Sequence, residues 1–134
     1  MRAARALLAL VLAAALPSCI DGAKHAKEKE EAKKVTAQFY RCMGAGDWNC
    51  VSGLVESPNL LPSLRVAAEG LGKVSSLDYR HSTSVEGLEG DWKVRFDLLV
   101  VSGRGKRHDN LLLIRRGDAA YRIVEYAGGL PMDF

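Results

Sequence analysis

The residues of this chain with chemistry to offer are three cysteines, three histidines and a scatter of carboxylates and tyrosines. Cys19, Cys42 and Cys50 lack the C-x-x-C spacing of a redox pair. His25 lies in the charged stretch near the N-terminus, and His81 and His108, the last followed by Asp109, lie in separate strands, so nothing in the spacing brings together the three or four convergent ligands that zinc needs. No metal ligand is assigned and no cofactor is expected. The serines lie outside any G-x-S-x-G turn and have no recognisable base partner. The stretch "SGRGKRH" sets Gly103 and Gly105 among basic residues, yet it lacks phosphate-loop spacing and precedes a strand. It reads as a solvated hairpin turn whose Arg104, Lys106 and Arg107, with Arg115 and Arg116, could touch anionic lipid or an acidic partner. No catalytic residue is assigned.

The elements that must position these groups are legible from periodicity. Val35, Phe39, Cys42 and Met43 recur at helical spacing from about Lys33, and Gly44 and Gly46 end that helix. Asp47 is an N-cap for a short second helix through about Val55. "SPN" breaks it, and Leu60, Leu61, Leu64, Ala67, Ala68 and Leu71 mark a third, ending at Gly70 or Gly72. The period then switches to two. One strand alternates Leu77, Tyr79, His81, Thr83 and Val85; the next alternates Trp92, Val94, Phe96, Leu98 and Val100. "HDNLLLIRR" and "AYRIVEYA" are two more, joined by short turns as an antiparallel meander. "GGLPMDF" has no period. Three helices followed by four strands give an α+β domain with helices on one face of a sheet.

The 134 residues hold one domain. They open with Arg2 and Arg5, an 11-residue apolar run from Ala6 to Leu16, and small residues at a cut site, the order of a secretory signal. The run is well short of the roughly 20 residues that span a membrane. "LPSC", Leu16 to Cys19, resembles the lipobox of bacterial lipoproteins, with Pro17 a departure from the usual residue. The resemblance implies a signal peptide over 1–18, lipid on Cys19, a charged tether over 19–32 and a domain over 33–134. It also implies an extracytoplasmic protein anchored to the cell envelope, and Ile20 after the cysteine resembles lipoproteins forwarded to an outer membrane. Plain secretion with cleavage near Ala15 is the alternative. With Cys19 acylated, Cys42 and Cys50 are an even pair in an oxidising compartment, either bridged or buried as two thiols. Within the tether, Lys24/Glu28, Lys27/Glu31 and Glu30/Lys34 at four-residue spacing suit a solvated helix, or a frayed tail. Removing Arg2 and Arg5 from the 19 basic residues leaves 17 against 16 acidic, a net charge of +1, which excludes the basic excess of a nucleic-acid reader.

"GLGKVSSLDYR" after a helical segment, the long hairpins and the final "GDAAYRIVEY" resemble the nuclear transport factor 2-like (SnoaL-like, cystatin-like) superfamily, above all its small secreted bacterial members of unknown function. The resemblance covers about Lys33 to Ala127; Tyr121-Arg122-Ile123 stands where the family often has Gly-x-Trp-Arg-Ile. It implies a curved sheet wrapped round the first helix as a cone, which can hold a small apolar molecule, bind a protein or be filled by side chains. Some enzymes of that superfamily, ketosteroid isomerase among them, use a carboxylate base and acidic donors in the cone. The candidates for that role are Tyr40, Asp78, Tyr79, His81 and Asp97, with Asp78 and Asp97 on parities that face solvent. Pocket-lining candidates are Tyr40, Tyr79, Phe96, Tyr121 and Tyr126, with Phe39, Leu64, Leu71 and Trp92 as core. The expected function is a non-catalytic binding or assembly module at the envelope. The alternatives are a carrier of a small hydrophobic ligand, or an isomerase- or hydrolase-like enzyme. The expected partners are the membrane, through Cys19, and a small apolar ligand or an envelope protein. An assembly module would expose an apolar patch at Leu99 and Val101, or at the Leu130–Phe134 tail.

Overall fold

Helical spacing does not begin at Lys33. Glu28, Ala32, Thr36, Phe39, Tyr40 and Met43 follow one another at three or four residues or side by side, and all six are buried. The computed structural model describes residues 2–130, with side chains described for 21–129. Cys19 and the expected tail contacts of Leu130, Met132 and Phe134 lie outside those described side chains. Helix α1 (Arg2–Ala45) lays this buried stripe on the sheet. Residues 25–32, expected in the spacer, are therefore part of the folded domain.

Helix α1 stops where the sequence says it must. Gly46 sits at φ +69°, the left-handed conformation that glycine adopts without a Cβ penalty. Its N–H donates to the Met43 carbonyl and that of Asp47 to the Cys42 carbonyl, the two bonds of a Schellman motif. Asp47 then caps α2 (Trp48–Leu54), its carboxylate accepting from the Cys50 N–H at 3.1 Å. A 3-10 turn (Pro58–Leu60) leads into α3 (Leu61–Glu69).

Four strands follow: β1 (Val74–Glu86), β2 (Trp92–Ser102), β3 (Gly105–Arg115) and β4 (Arg122–Leu130). They form one antiparallel sheet in the order β1-β2-β3-β4. On β2 the expected alternation holds: Trp92, Val94, Phe96, Leu98 and Val100 are all buried beneath the helices. Register places Val94 opposite Leu113, Phe96 opposite Leu111 and Leu98 opposite Asp109. The inner row of β3 is therefore Arg107, Asp109, Leu111, Leu113 and Arg115.

Two expectations about the strands are corrected. On β1 the pairing shifts between Tyr79 and His81. The extra residue of this bulge reverses the parity of everything after it. Ser82 and Ser84 become the half-buried residues, while His81, Thr83 and Val85 are exposed. Strand β4 continues through Gly128 and Gly129 to Leu130, past the end expected at Ala127, because a second irregularity absorbs the glycines, with Gly129 at φ +69°. Nor is Leu99 part of an exposed apolar patch. It is 8% exposed, and the outer face near it carries Arg95 bonded to Asn110 and Glu125, with Asn110 bonded to Asp97.

Cys42 and Cys50 are bridged, with Cα atoms 6.0 Å apart. The bond ties the end of α1 to α2 across eight positions. Replacing both cysteines by alanine is expected to lower stability by roughly 2–3 kcal/mol on the chain-entropy model, read as a lower melting temperature that reductant does not lower further.

Candidate functional site

Two polar clusters fasten α1 to the sheet. At the C-terminal end, Tyr40 donates from its hydroxyl to Asp109 Oδ2 at 2.6 Å and Tyr126 to the same oxygen at 2.9 Å. Arg107 Nε lies 3.0 Å from Asp109 Oδ1, and the Gly129 N–H donates to Oδ1 at 3.1 Å. Arg107 also donates to the Tyr126 hydroxyl and to the Ala67 carbonyl of α3. Asp109 is fully buried, and both its oxygens are occupied. Nearer the middle of the helix, Glu28 accepts from the Tyr121 hydroxyl at 2.8 Å and pairs with Arg115 at 2.9 Å. Arg115 reaches on to Glu31 at 3.3 Å.

These clusters hold tyrosines protonated. Burial, then the Asp109 charge, raises Tyr40 well above its ordinary value. Burial chiefly raises Tyr126, with Arg107 opposing. Burial, then the bond to Glu28, raises Tyr121. A folded pKa above the unfolded value of about 10 means that the native state holds more protons than the unfolded chain above that pH. Stability is thus complete below about pH 10 and falls as pH rises toward the folded values. Thermal melts should be insensitive to these groups at neutral pH and lose stability steeply above pH ~10. Tyr40→Phe should make that alkaline fall shallower.

The pocket candidates divide three ways. Tyr121 and Tyr126 belong to the two clusters, and Phe96 is fully buried in the core, edge-on to Tyr79 at 4.8 Å between ring centroids. Tyr40, which also belongs to the Asp109 cluster, and Tyr79 line an open space. It is a groove of about 760 Å³ between α1, from Glu30 to Ala45, and β1 with its approach, from Lys73 to Tyr79. Its floor is apolar: Ala37, Val74, Leu77 and the two tyrosine rings. The volume lies within the roughly 300–1,000 Å³ of small-molecule sites. Burial, then the Glu30 charge, pushes Tyr79 up to about 12, and the Lys33 ammonium sits 5.0 Å above its ring. Lys33 is itself paired with Glu30 at 3.2 Å. Lys34, Arg41 and Lys73 also line the groove and have no ion-pair partner among the described residues.

The proposed acid–base set is not assembled. Tyr40 and Tyr79 line the groove, but Asp78 is exposed and pairs with Arg80, His81 is exposed beyond the bulge, and Asp97 bonds Asn110 on the outer face. The histidines do not converge. His25 stands edge-on to Trp92 and bonds Ser84, and His108 is buried on β3. Among the described residues, Cys42, Asp47 and Cys50 are close enough to share a metal, but the two sulfurs are bonded to each other and are not thiolates.

Sequence reasoning passed over Asp109 and Glu28. Both left a signal. Asp109 shares strand parity with Leu111 and Leu113, and Glu28 precedes Ala32 by one helical turn in register with Phe39. Two of the basic residues expected to be free for anionic lipid or an acidic partner are otherwise engaged: Arg107 pairs with Asp109, and Arg115 with Glu28 and Glu31.

Three helices packed on a four-stranded antiparallel sheet define an α+β helix-on-sheet domain with an open groove along one edge. In comparison with known proteins, the chain matches no family model and no curated protein. Among the described residues no helix is long and apolar enough to cross a membrane.

Proposed function

We propose that the protein is a non-catalytic binding module of the cell envelope, exported, lipidated at Cys19 and built on a cone-shaped nuclear transport factor 2-like domain. The groove between α1 and β1 is its binding surface. One contrast carries this reading. The buried acids Asp109 and Glu28 spend their oxygens on holding α1 to the sheet, whereas the groove is open, apolar in its floor and bordered by Lys34, Arg41 and Lys73, which have no ion-pair partner among the described residues. A base held by a guanidinium, a backbone N–H and two phenols is poorly placed to take a substrate proton. The groove meets the usual demand of a binding site, an apolar surface with a few polar groups at its margin. Envelope residence rests on the leader and "LPSC". Several acyl chains, at about 0.8 kcal/mol per buried CH₂, would anchor the protein stably.

The test is native mass spectrometry of the protein exported with Cys19→Ser. A co-purified molecule that is lost on Tyr79→Ala is the expected result. A bare mass with discrete oligomers would replace ligand binding by assembly through the surface.

A further inference from the structure

We infer that the α1–β1 groove takes a single-chain anionic amphiphile of the fatty-acid type, its carboxylate between Arg41 and Lys73 and its chain along the floor toward Tyr79. The inference rests on the groove being the binding surface and adds the chemical class of what it binds.

The groove carries unpaired cations toward one end, a neutralised ion pair at the other, and an apolar floor between them. Gly44 brings α1 so close to the chain entering β1 that a methyl group there would lie 3.5 Å from the Gly72 carbonyl and 3.7 Å from Lys73 Cα. Arg41 is one helical turn before Gly44, so Arg41 and Lys73 flank the same end from opposite walls. Both are exposed, neither has an ion-pair partner among the described residues, and Lys34 adds a third uncommitted cation farther along the helix. The far end is different. There Lys33 is neutralised by Glu30 and lies on the Tyr79 ring. Between the ends run Ala37, Leu77 and the Tyr40 and Tyr79 rings. Lys73 to Tyr79 spans about 20 Å of extended strand, room for one long chain lying full length. A carboxylate beside paired cations on an apolar floor satisfies both halves of the groove at once; a neutral apolar molecule leaves the cations unused.

A second copy of the chain is a poor occupant, because a symmetric contact through this surface would set like charges against each other. An acidic peptide adding to the edge of β1 is disfavoured too. Irregularities between Val74 and Ser76 and between Tyr79 and His81 interrupt the strand, and bulges of this kind blunt an edge against further pairing.

Laurate and dodecyl maltoside carry the same chain length on an anionic and a neutral head. Titrated calorimetrically into the exported Cys19→Ser protein, laurate should bind. The double reversal Arg41→Glu/Lys73→Glu should weaken it roughly tenfold or more, which is about 1.4 kcal/mol per factor of ten. Dodecyl maltoside should bind more weakly than laurate and respond little to the reversal. Both substituted residues are surface-exposed, and an unchanged melting temperature would establish that the variant is folded. Laurate binding that the folded variant retains in full, or a neutral detergent that binds as tightly as laurate, would overturn the anionic class and leave the groove as a binding surface. An acidic peptide that displaces laurate and is bound more tightly would also overturn it. If neither amphiphile binds and no molecule co-purifies, the ligand class and the binding reading fall together.

Discussion

Asp109→Ala is expected to destabilise the domain by about 3–5 kcal/mol, the scale for removing one partner of a buried ion pair. The size follows from what the carboxylate holds. Without it, Arg107 is left partly buried without its counter-charge, two tyrosine hydroxyls lose their acceptor, and the Gly129 N–H loses the contact that pins the end of β4. A domain of this size has a total stability of only about 5–15 kcal/mol, so urea denaturation of the variant should show a greatly lowered midpoint or no folded baseline. Asp109→Asn separates charge from shape. It keeps an acceptor for one tyrosine but cannot neutralise Arg107, and it should recover only part of the loss. The double replacement Arg107→Met/Asp109→Leu removes both charges and should be more stable than Asp109→Ala alone. If Asp109→Ala costs less than about 1 kcal/mol, the value of an exposed pair, the cluster does not hold α1 to the sheet. A neighbouring glycine gives an independent check. A Cβ at Gly128 would collide with the Tyr126 ring and hydroxyl, so Gly128→Ala should lower the melting temperature by dislodging Tyr126 from Asp109.

What sequence pattern could and could not convey is visible in these same residues. The helix ends at Gly46 and Asp47 were legible because capping is local chemistry, decided within a few residues. The burial of β2 was legible because Trp92 to Leu98 alternate without interruption. Strand β1 misled at Tyr79, where one extra residue exchanged the two faces; nothing in "DYRHS" marks a bulge, since the cause lies in pairing with β2. Asp109 and Glu28 were hidden by their own polarity. A carboxylate reads as solvent-facing unless its partner is known, and the partners lie far along the chain, Tyr40 for Asp109 and Tyr121 for Glu28. The groove was invisible for the same reason: Arg41 and Lys73 meet only once α1 is laid beside β1.

The hidden partner of Glu28 makes the start of the domain testable. A chain beginning at residue 33 keeps every apolar residue that the helical spacing from Lys33 identified, and by that criterion it should fold. The structure gives the opposite expectation. Such a chain lacks Glu28 and Ala32, both buried, and His25, which stands edge-on to Trp92 at 5.0 Å. Arg115 loses both its carboxylates, Tyr121 its acceptor, and Trp92 its cover. The polar loss alone matches the roughly 3–5 kcal/mol of a broken buried pair, before any exposed apolar surface at Trp92 is added. The chain from residue 33 should therefore melt far below one that begins at residue 21, or fail to give a cooperative transition. Glu28→Ala in the longer chain should reproduce most of the loss, while Glu31→Ala, at a side chain that is 37% exposed and whose carboxylate is 3.3 Å from Arg115, should cost about 1 kcal/mol or less. That ordering distinguishes a helix fastened by one buried carboxylate from a charged tether that merely leads to the domain. Equal stability of the two chains would restore the tether and remove Glu28 from the fold's support.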